Sequence, residues 1–158
     1  MAVVAISLSC LTACGTDHPL DSCFKENAGN LNCELMNLSE ANLSGVNLSG
    51  ANLSRVNFVD ANLEGANLEG ANLKSALLTR ATLTGANLRG ANLEAAYLIE
   101  TILLGANLEG ANLKTATLYG ATFEGANLEG ATLQWAVADY WTAWPEGFDP
   151  EAGEVAIK

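Results

Sequence analysis

Every fifth residue from Leu38 to Leu133 is Leu or Phe, without a break, and after Met36 the residue two places before each is small, most often Ala, as in Ala41, Ala61, Ala66, Ala71 and Ala126. A period of five fits neither the 3.6 residues per turn of an α-helix nor the strict alternation of a long strand. Each pentapeptide must therefore be one short extended segment followed by a corner. Within a segment the Leu and the small residue share parity, so both point inward, while the residue between them and the one after Leu point outward. Such a chain has no globular core; each unit buries its apolar side only against its neighbours.

A second period sets the number of segments per turn. Units end in Gly45 and Gly50, Gly65 and Gly70, Gly85 and Gly90, Gly105 and Gly110, and Gly125 and Gly130. The units between end in Arg55 and Asp60, Ser75 and Arg80, Ala95 and Glu100, and Thr115 and Gly120. Glycine thus recurs in two consecutive units of every four, so four sides close one coil of 20 residues. Two corners per coil are expected to need positive φ, which Gly adopts at least cost, and the other two to take ordinary conformations. Residues 36–135 then make five coils. At about 4.8 Å per rung that is a rod roughly 24 Å long.

The repeat Ala66-Asn67-Leu68-Glu69-Gly70 resembles the pentapeptide-repeat family. The resemblance implies an all-β solenoid, a right-handed quadrilateral β-helix, and points to a bacterial, cyanobacterial-like source. The stretch Tyr140, Thr142 and Trp144-Pro145-Glu146-Gly147-Phe148-Asp149-Pro150 resembles a segment that often follows such repeats, and residues 136–158 read as a carboxy-terminal cap and tail. Trp135, Trp141, Trp144 and Phe148 have the bulk to cover the end of the last coil, which would otherwise expose unpaired backbone and apolar Leu. The alternative use for these aromatics is a binding platform.

Residues 1–35 have a different character. Ala2 to Leu11 is an apolar stretch too short to cross a bilayer as a helix, and it ends in Leu11-Thr12-Ala13-Cys14-Gly15. Small residues before a cysteine at this point resemble the cleavage box of bacterial lipoproteins. On that reading residues 1–13 are a signal peptide, Cys14 carries the lipid, and residues 14–35 are a tether and amino-terminal cap. No Lys or Arg precedes the apolar stretch, which departs from the usual signal pattern. The other reading of Ala2 to Leu11 is a buried strand or helix capping the rod. Export would place Cys23 and Cys33 in an oxidising compartment, where a disulfide would pin the entrance coil; free thiols filling interior positions are the alternative. The expected destination is the outer membrane or periplasm, with the thylakoid lumen as a further one.

The chain carries a net charge of −11 with only seven basic residues, which gives no cationic surface for phosphate and argues against direct nucleic-acid binding. Within 36–135 nine acidic residues face five basic ones, leaving a rod that is mildly acidic. The outward Asn positions form columns on the third side (Asn47, Asn67, Asn87, Asn107, Asn127) and the fourth (Asn52, Asn72, Asn92, Asn112), where stacked amides can bond along the axis. Charges alternate on the fourth side, as on a solvated face. The first and second sides instead place Leu77, Tyr97, Ile99, Ile102, Leu104 and Tyr119 outward in the middle coils, a candidate contact face for a protein partner or a second copy.

No catalytic constellation is present. His18 is the single histidine and lies in the tether, the repeat Ser and Thr have no base beside them, and no metal spacing, cofactor motif or phosphate loop occurs. The expectation is a non-enzymatic exported scaffold or interaction rod, touching a membrane only through its lipid anchor. The alternative, implied by the resemblance, is a DNA-mimicking gyrase-binding protein of the cytoplasm.

Overall fold

The computed structural model describes residues 31–158, and Cys14 and Cys23 lie outside them. The described chain is a right-handed four-sided β-helix. Each outward residue before a central Leu or Phe pairs in parallel with the residue 20 places on, from Asn32↔Asn52 to Thr117↔Val137. Side 1 carries Asn37, Asn57, Leu77, Tyr97 and Thr117; side 2 carries Asn42, Asn62, Thr82, Ile102 and Thr122. Sides 3 and 4 carry the two uninterrupted Asn columns.

One repeat shows how the backbone is satisfied. In Asn62-Leu63-Glu64-Gly65-Ala66, the N–H of Asn62 donates back to Ala41 O at 2.9 Å, while those of Leu63 and Gly65 donate forward to Thr82 O at 2.7 Å and Thr84 O at 2.9 Å. Ala66 N–H closes the turn on Leu63 O at 3.0 Å. The fifth donor, Glu64 N–H, is taken by the Asn62 side-chain Oδ1 at 3.0 Å. All five donors are thus paired, four with backbone and one with Asn. The same Asn Oδ1 columns accept from the next coil, as when Asn92 Nδ2 donates to Asn72 Oδ1 at 3.3 Å and Asn112 Nδ2 to Asn92 Oδ1 at 3.1 Å.

The interior is the expected one. Leu63, Leu83, Leu103, Ala61 and Ala81 are buried on side 2, and Phe58 and Phe123 fill central positions in place of Leu. No buried side-chain nitrogen or oxygen among the described residues lacks a partner. Thr101 sits where Ala is usual, and its hydroxyl donates to Leu78 O at 2.7 Å.

The corners correct one expectation. All four are left-handed, not two: Arg55, Asp60, Ser75, Arg80, Ala95, Glu100 and Thr115 have φ between 54° and 59°, beside Gly at 61° to 68° in the same coils. The turn bond and the forward bond of the corner N–H together impose the conformation, so even Ala95 accepts it. Space does not explain the sides on which Gly occurs, since a Cβ at Gly70 or Gly90 would meet nothing within 4 Å.

The rod also runs past 36–135 at both ends. Leu31 to Leu35 already form a unit, with Cys33, 4% exposed, in its central position. Beyond Trp135, β1 (Val137–Ala138) continues side 1 and pairs in parallel with β2 (Ala156–Ile157), which lies over it as a last partial rung. Between them the register changes: Thr122 pairs with Ala143, 21 residues on, so one extra residue enters the last coil. Thr142 nevertheless takes the place of Thr101, its Oγ1 2.9 Å from both Leu118 O and Asp139 Oδ1.

The cap differs from expectation as well. Trp144 stacks on Phe123 with centroids 5.2 Å apart and planes 3° apart, and Phe148 stacks on Trp144 at 4.9 Å. These two cover the core end with Val155. Trp135 and Trp141 do not, being 69% and 84% exposed. Trp135 falls on a left-handed corner position, which directs its ring outward.

Candidate functional site

Sides 1 and 2 lose their Asn columns in the middle coils. Asn57 is followed on side 1 by Leu77 and Tyr97, and Asn62 on side 2 by Thr82 and Ile102. Leu77 is 38% exposed, Tyr97 46%, Ile102 38% and Leu104 37%. Ile99 and Tyr119 are partly covered. All six residues of the predicted contact face are therefore brought onto two adjoining sides, paired across coils through Leu77↔Tyr97 and flanking Thr residues.

The substitution has a backbone consequence. Without Asn Oδ1 two residues earlier, the N–H groups of Thr79, Ile99 and Leu104 have no protein acceptor among the described residues. Each forgone bond is worth about 1 kcal/mol net. The middle coils thus exchange backbone capping for exposed apolar area.

Charge is ordered along the rims. Asp60 pairs with Arg80 through Nε–Oδ1 and Nη2–Oδ2 contacts of 2.7 and 2.6 Å. The hydrogen bond from Arg80 holds the Asp60 carboxyl below its ordinary range, with burial opposing and the Arg80 charge assisting. Arg89 lies 3.9 Å from Glu69 and 3.4 Å from Glu109, and Lys74 lies 2.8 Å from Glu94. Alternation is thus found on sides 1 and 3 as well as the fourth. These exposed pairs contribute little to stability, but they neutralise long stretches of the acidic surface.

At the carboxy-terminal end of side 1 the apolar face runs into an open pocket of ≈ 310 Å³ lined by Ile99, Glu100, Tyr119, Gly120, Asp139 and Trp141. Glu100, Gly120, Asp139 and this location for Trp141 were not singled out from the sequence. The signal was present: Gly120 breaks a column of side-1 corners that otherwise reads Glu40, Asp60, Arg80, Glu100. Among the described residues no group of three or more His, Cys, Asp or Glu could hold a metal ion, and no helix is long and apolar enough to cross a membrane.

A model of pentapeptide repeats matches residues 37–74, 76–114 and 108–137, in eight copies. A solved pentapeptide repeat protein from the thylakoid lumen of Arabidopsis thaliana is 36% identical, with a TM-score of 0.50, over 60% of this chain and 63% of that one. This chain therefore spans under two thirds of that protein's length. A second, from Nostoc PCC 7120, is 32% identical over 77% of this chain and 84% of the other, with a TM-score of 0.39. QnrB1, a plasmid-mediated fluoroquinolone resistance protein, is 20% identical over 77% of this chain and 79% of that one, with a TM-score of 0.58, a likeness of fold. No curated protein matched the chain.

Proposed function

The chain belongs to the pentapeptide-repeat family, and from that premise we propose that it is a non-enzymatic, exported rod that holds a protein partner against sides 1 and 2. The observation that carries this is the exchange in the middle coils, where Leu77, Tyr97 and Ile102 replace Asn and leave backbone donors uncapped. A chain selected only to fold would keep Asn there, as sides 3 and 4 do. An apolar band flanked by open N–H groups suits a protein surface that supplies both carbon and carbonyl oxygen.

Export is supported by Leu11-Thr12-Ala13-Cys14, with Cys14 as the lipidated residue, and by the lumenal origin of the Arabidopsis relative. A Cys23–Cys33 disulfide would then lock the first coil. The gyrase-binding alternative is disfavoured by the Asp60–Arg80 and Glu69–Arg89–Glu109 pairing, which interrupts the acidic surface a duplex mimic requires.

Intact-mass spectrometry of the protein from membrane and soluble fractions of its host tests the export reading. The expected species starts at Cys14, carries acyl mass and gains two hydrogens on reduction; an unprocessed soluble chain with four free thiols overturns it. The contact reading is tested by Tyr97→Asp combined with Ile99→Asp. Both positions are outward, so the circular dichroism of the rod should persist while self-association or partner capture is lost. Unchanged association would refute the assignment of this face.

A further inference from the structure

The pocket beside Gly120 has a chemistry that the flat apolar band lacks. Tyr119 and Trp141 give it aromatic walls, Ile99 an apolar one, and Glu100 and Asp139 two carboxylates. Trp141 stands 84% exposed at its edge, with no burial role to account for it.

Three observations make this more than a meeting of acidic residues. First, the corner column of side 1 ends in Gly120, and a Cβ there would lie 3.4 Å from Glu100 Cγ. Any side chain at 120 would grow beside Glu100 and fill the space; glycine keeps it open. Second, Arg80 is committed to Asp60 by two short bonds and acts on Glu100 only as a charge at longer range; among the described residues no basic side chain lies within ion-pair distance of Glu100. Third, Asp139 is fixed by the N–H groups of Gly120 at 2.9 Å and Trp141 at 3.2 Å, which ties the pocket floor to the residue carrying its wall.

We propose that this pocket binds the guanidinium of an arginine side chain presented by the partner protein. Guanidinium is the group that lies against aromatic rings and pairs with carboxylates in one pose, and it is more easily desolvated than an ammonium. The inference rests on the contact reading above only for the owner of the arginine. The pocket itself is tested with a small probe, so its failure leaves the wider face standing.

The probe is N-acetyl-arginine amide, titrated into the full chain while the Trp141 indole and Tyr119 ring signals are followed by NMR. Saturable shifts on those two residues are expected, with Kd on the order of millimolar for a single side chain. The citrulline analogue, uncharged and of nearly the same shape, should bind at least about tenfold more weakly. Glu100→Gln and Trp141→Ala, both at exposed positions, should each weaken binding by about fivefold or more. Glu129→Gln, on side 3 across the coil, should change nothing. Equal binding of the citrulline analogue, shifts spread over the rims of sides 3 and 4, or full binding by both pocket variants would overturn the assignment.

Discussion

The backbone N–H of Gly120 donates to the Asp139 carboxylate Oδ1 at 2.9 Å. Every earlier corner N–H on side 1 donates instead to a backbone carbonyl 19 residues on: Glu40 to Val59, Asp60 to Thr79, Arg80 to Ile99, Glu100 to Tyr119. At the fifth corner the partner is again residue 19 places on, but its side chain has taken over from its carbonyl. The same oxygen accepts from Trp141 N–H, and Thr142 Oγ1 lies 2.9 Å from it. Asp139 is thus the clamp that lets the last coil admit an extra residue without losing its seat on the coil below.

Removing the clamp should loosen the cap more than the rod. Asp139→Ala is expected to cost about 1–2 kcal/mol, and Asp139→Asn about half as much because an amide oxygen still accepts. Urea titration would give the loss as a lower midpoint. Hydrogen exchange would locate it, with Gly120 and Ala143 amides losing protection while Leu83 and Leu88 keep theirs. Equal protection throughout would show that the clamp is decorative.

The same carboxylate predicts a pH dependence. Burial would raise its pKa, but the donors from Gly120, Thr142 and Trp141 outweigh that and hold it below the usual carboxylate range. A depressed folded-state pKa gives stability that is fully present above the unfolded value near about 4 and is lost as pH falls through the folded one. The stability difference between the native chain and Asp139→Asn should therefore be constant from about pH 7 to pH 5 and shrink below about pH 4. A difference that stays flat to pH 2.5 would mean the donors do not favour the charged form.

The corners allow a test in the opposite direction. Ala95 holds φ at 55°, a conformation that costs a non-glycine residue about 1 kcal/mol. Ala95→Gly relieves this but gives the unfolded chain more freedom, so a net gain of up to about 0.5 kcal/mol is expected. Gly90→Val, on a corner with open space around it, should lose about 1–2 kcal/mol from conformation alone. Thermal melts of the two variants would move in opposite directions; movement in the same direction would mean the ladder does not impose the left-handed corner.

Much of this architecture could be read from residue spacing, because a period of five and a period of 20 are both sums over many units, and one exception changes neither. Features that occur once were harder. The glycine pattern suggested two kinds of corner, yet Arg55 and Ala95 share the conformation of Gly45, since the bonds that set it come from the next coil rather than from the corner residue. The aromatics of the tail had the right bulk for a cap, but bulk does not say where a side chain points. Trp135 lay on the corner register of Thr115 and could have been placed outward on that ground. Trp141 could not, because the extra residue before Ala143 breaks the count. The outward placement of the six residues proposed as a contact face was legible because they sit inside the unbroken register. The pocket beside them was not, since it exists only where Asp139 and Trp141 of the irregular turn meet Glu100 and Gly120 of the regular one.

Whether Leu77 serves the sheet or a partner can be decided by stability. Its neighbour in the coil below is Asn57, paired to it directly, and the N–H of Thr79 two residues on has no protein acceptor among the described residues. In Leu77→Asn the new amide nitrogen can donate to Asn57 Oδ1, as Asn57 does to Asn37 at 3.0 Å, and the new Oδ1 can cap Thr79 as Asn57 caps Val59 at 3.0 Å. Two bonds of about 0.5–1.5 kcal/mol each replace the partial burial of a Leu that is already 38% exposed. The variant should therefore be as stable as the native rod or up to about 1 kcal/mol more stable, while its association through sides 1 and 2 weakens. Selection for folding alone would have placed Asn at 77. A variant that loses more than about 1 kcal/mol would instead assign the leucine to holding the coils together.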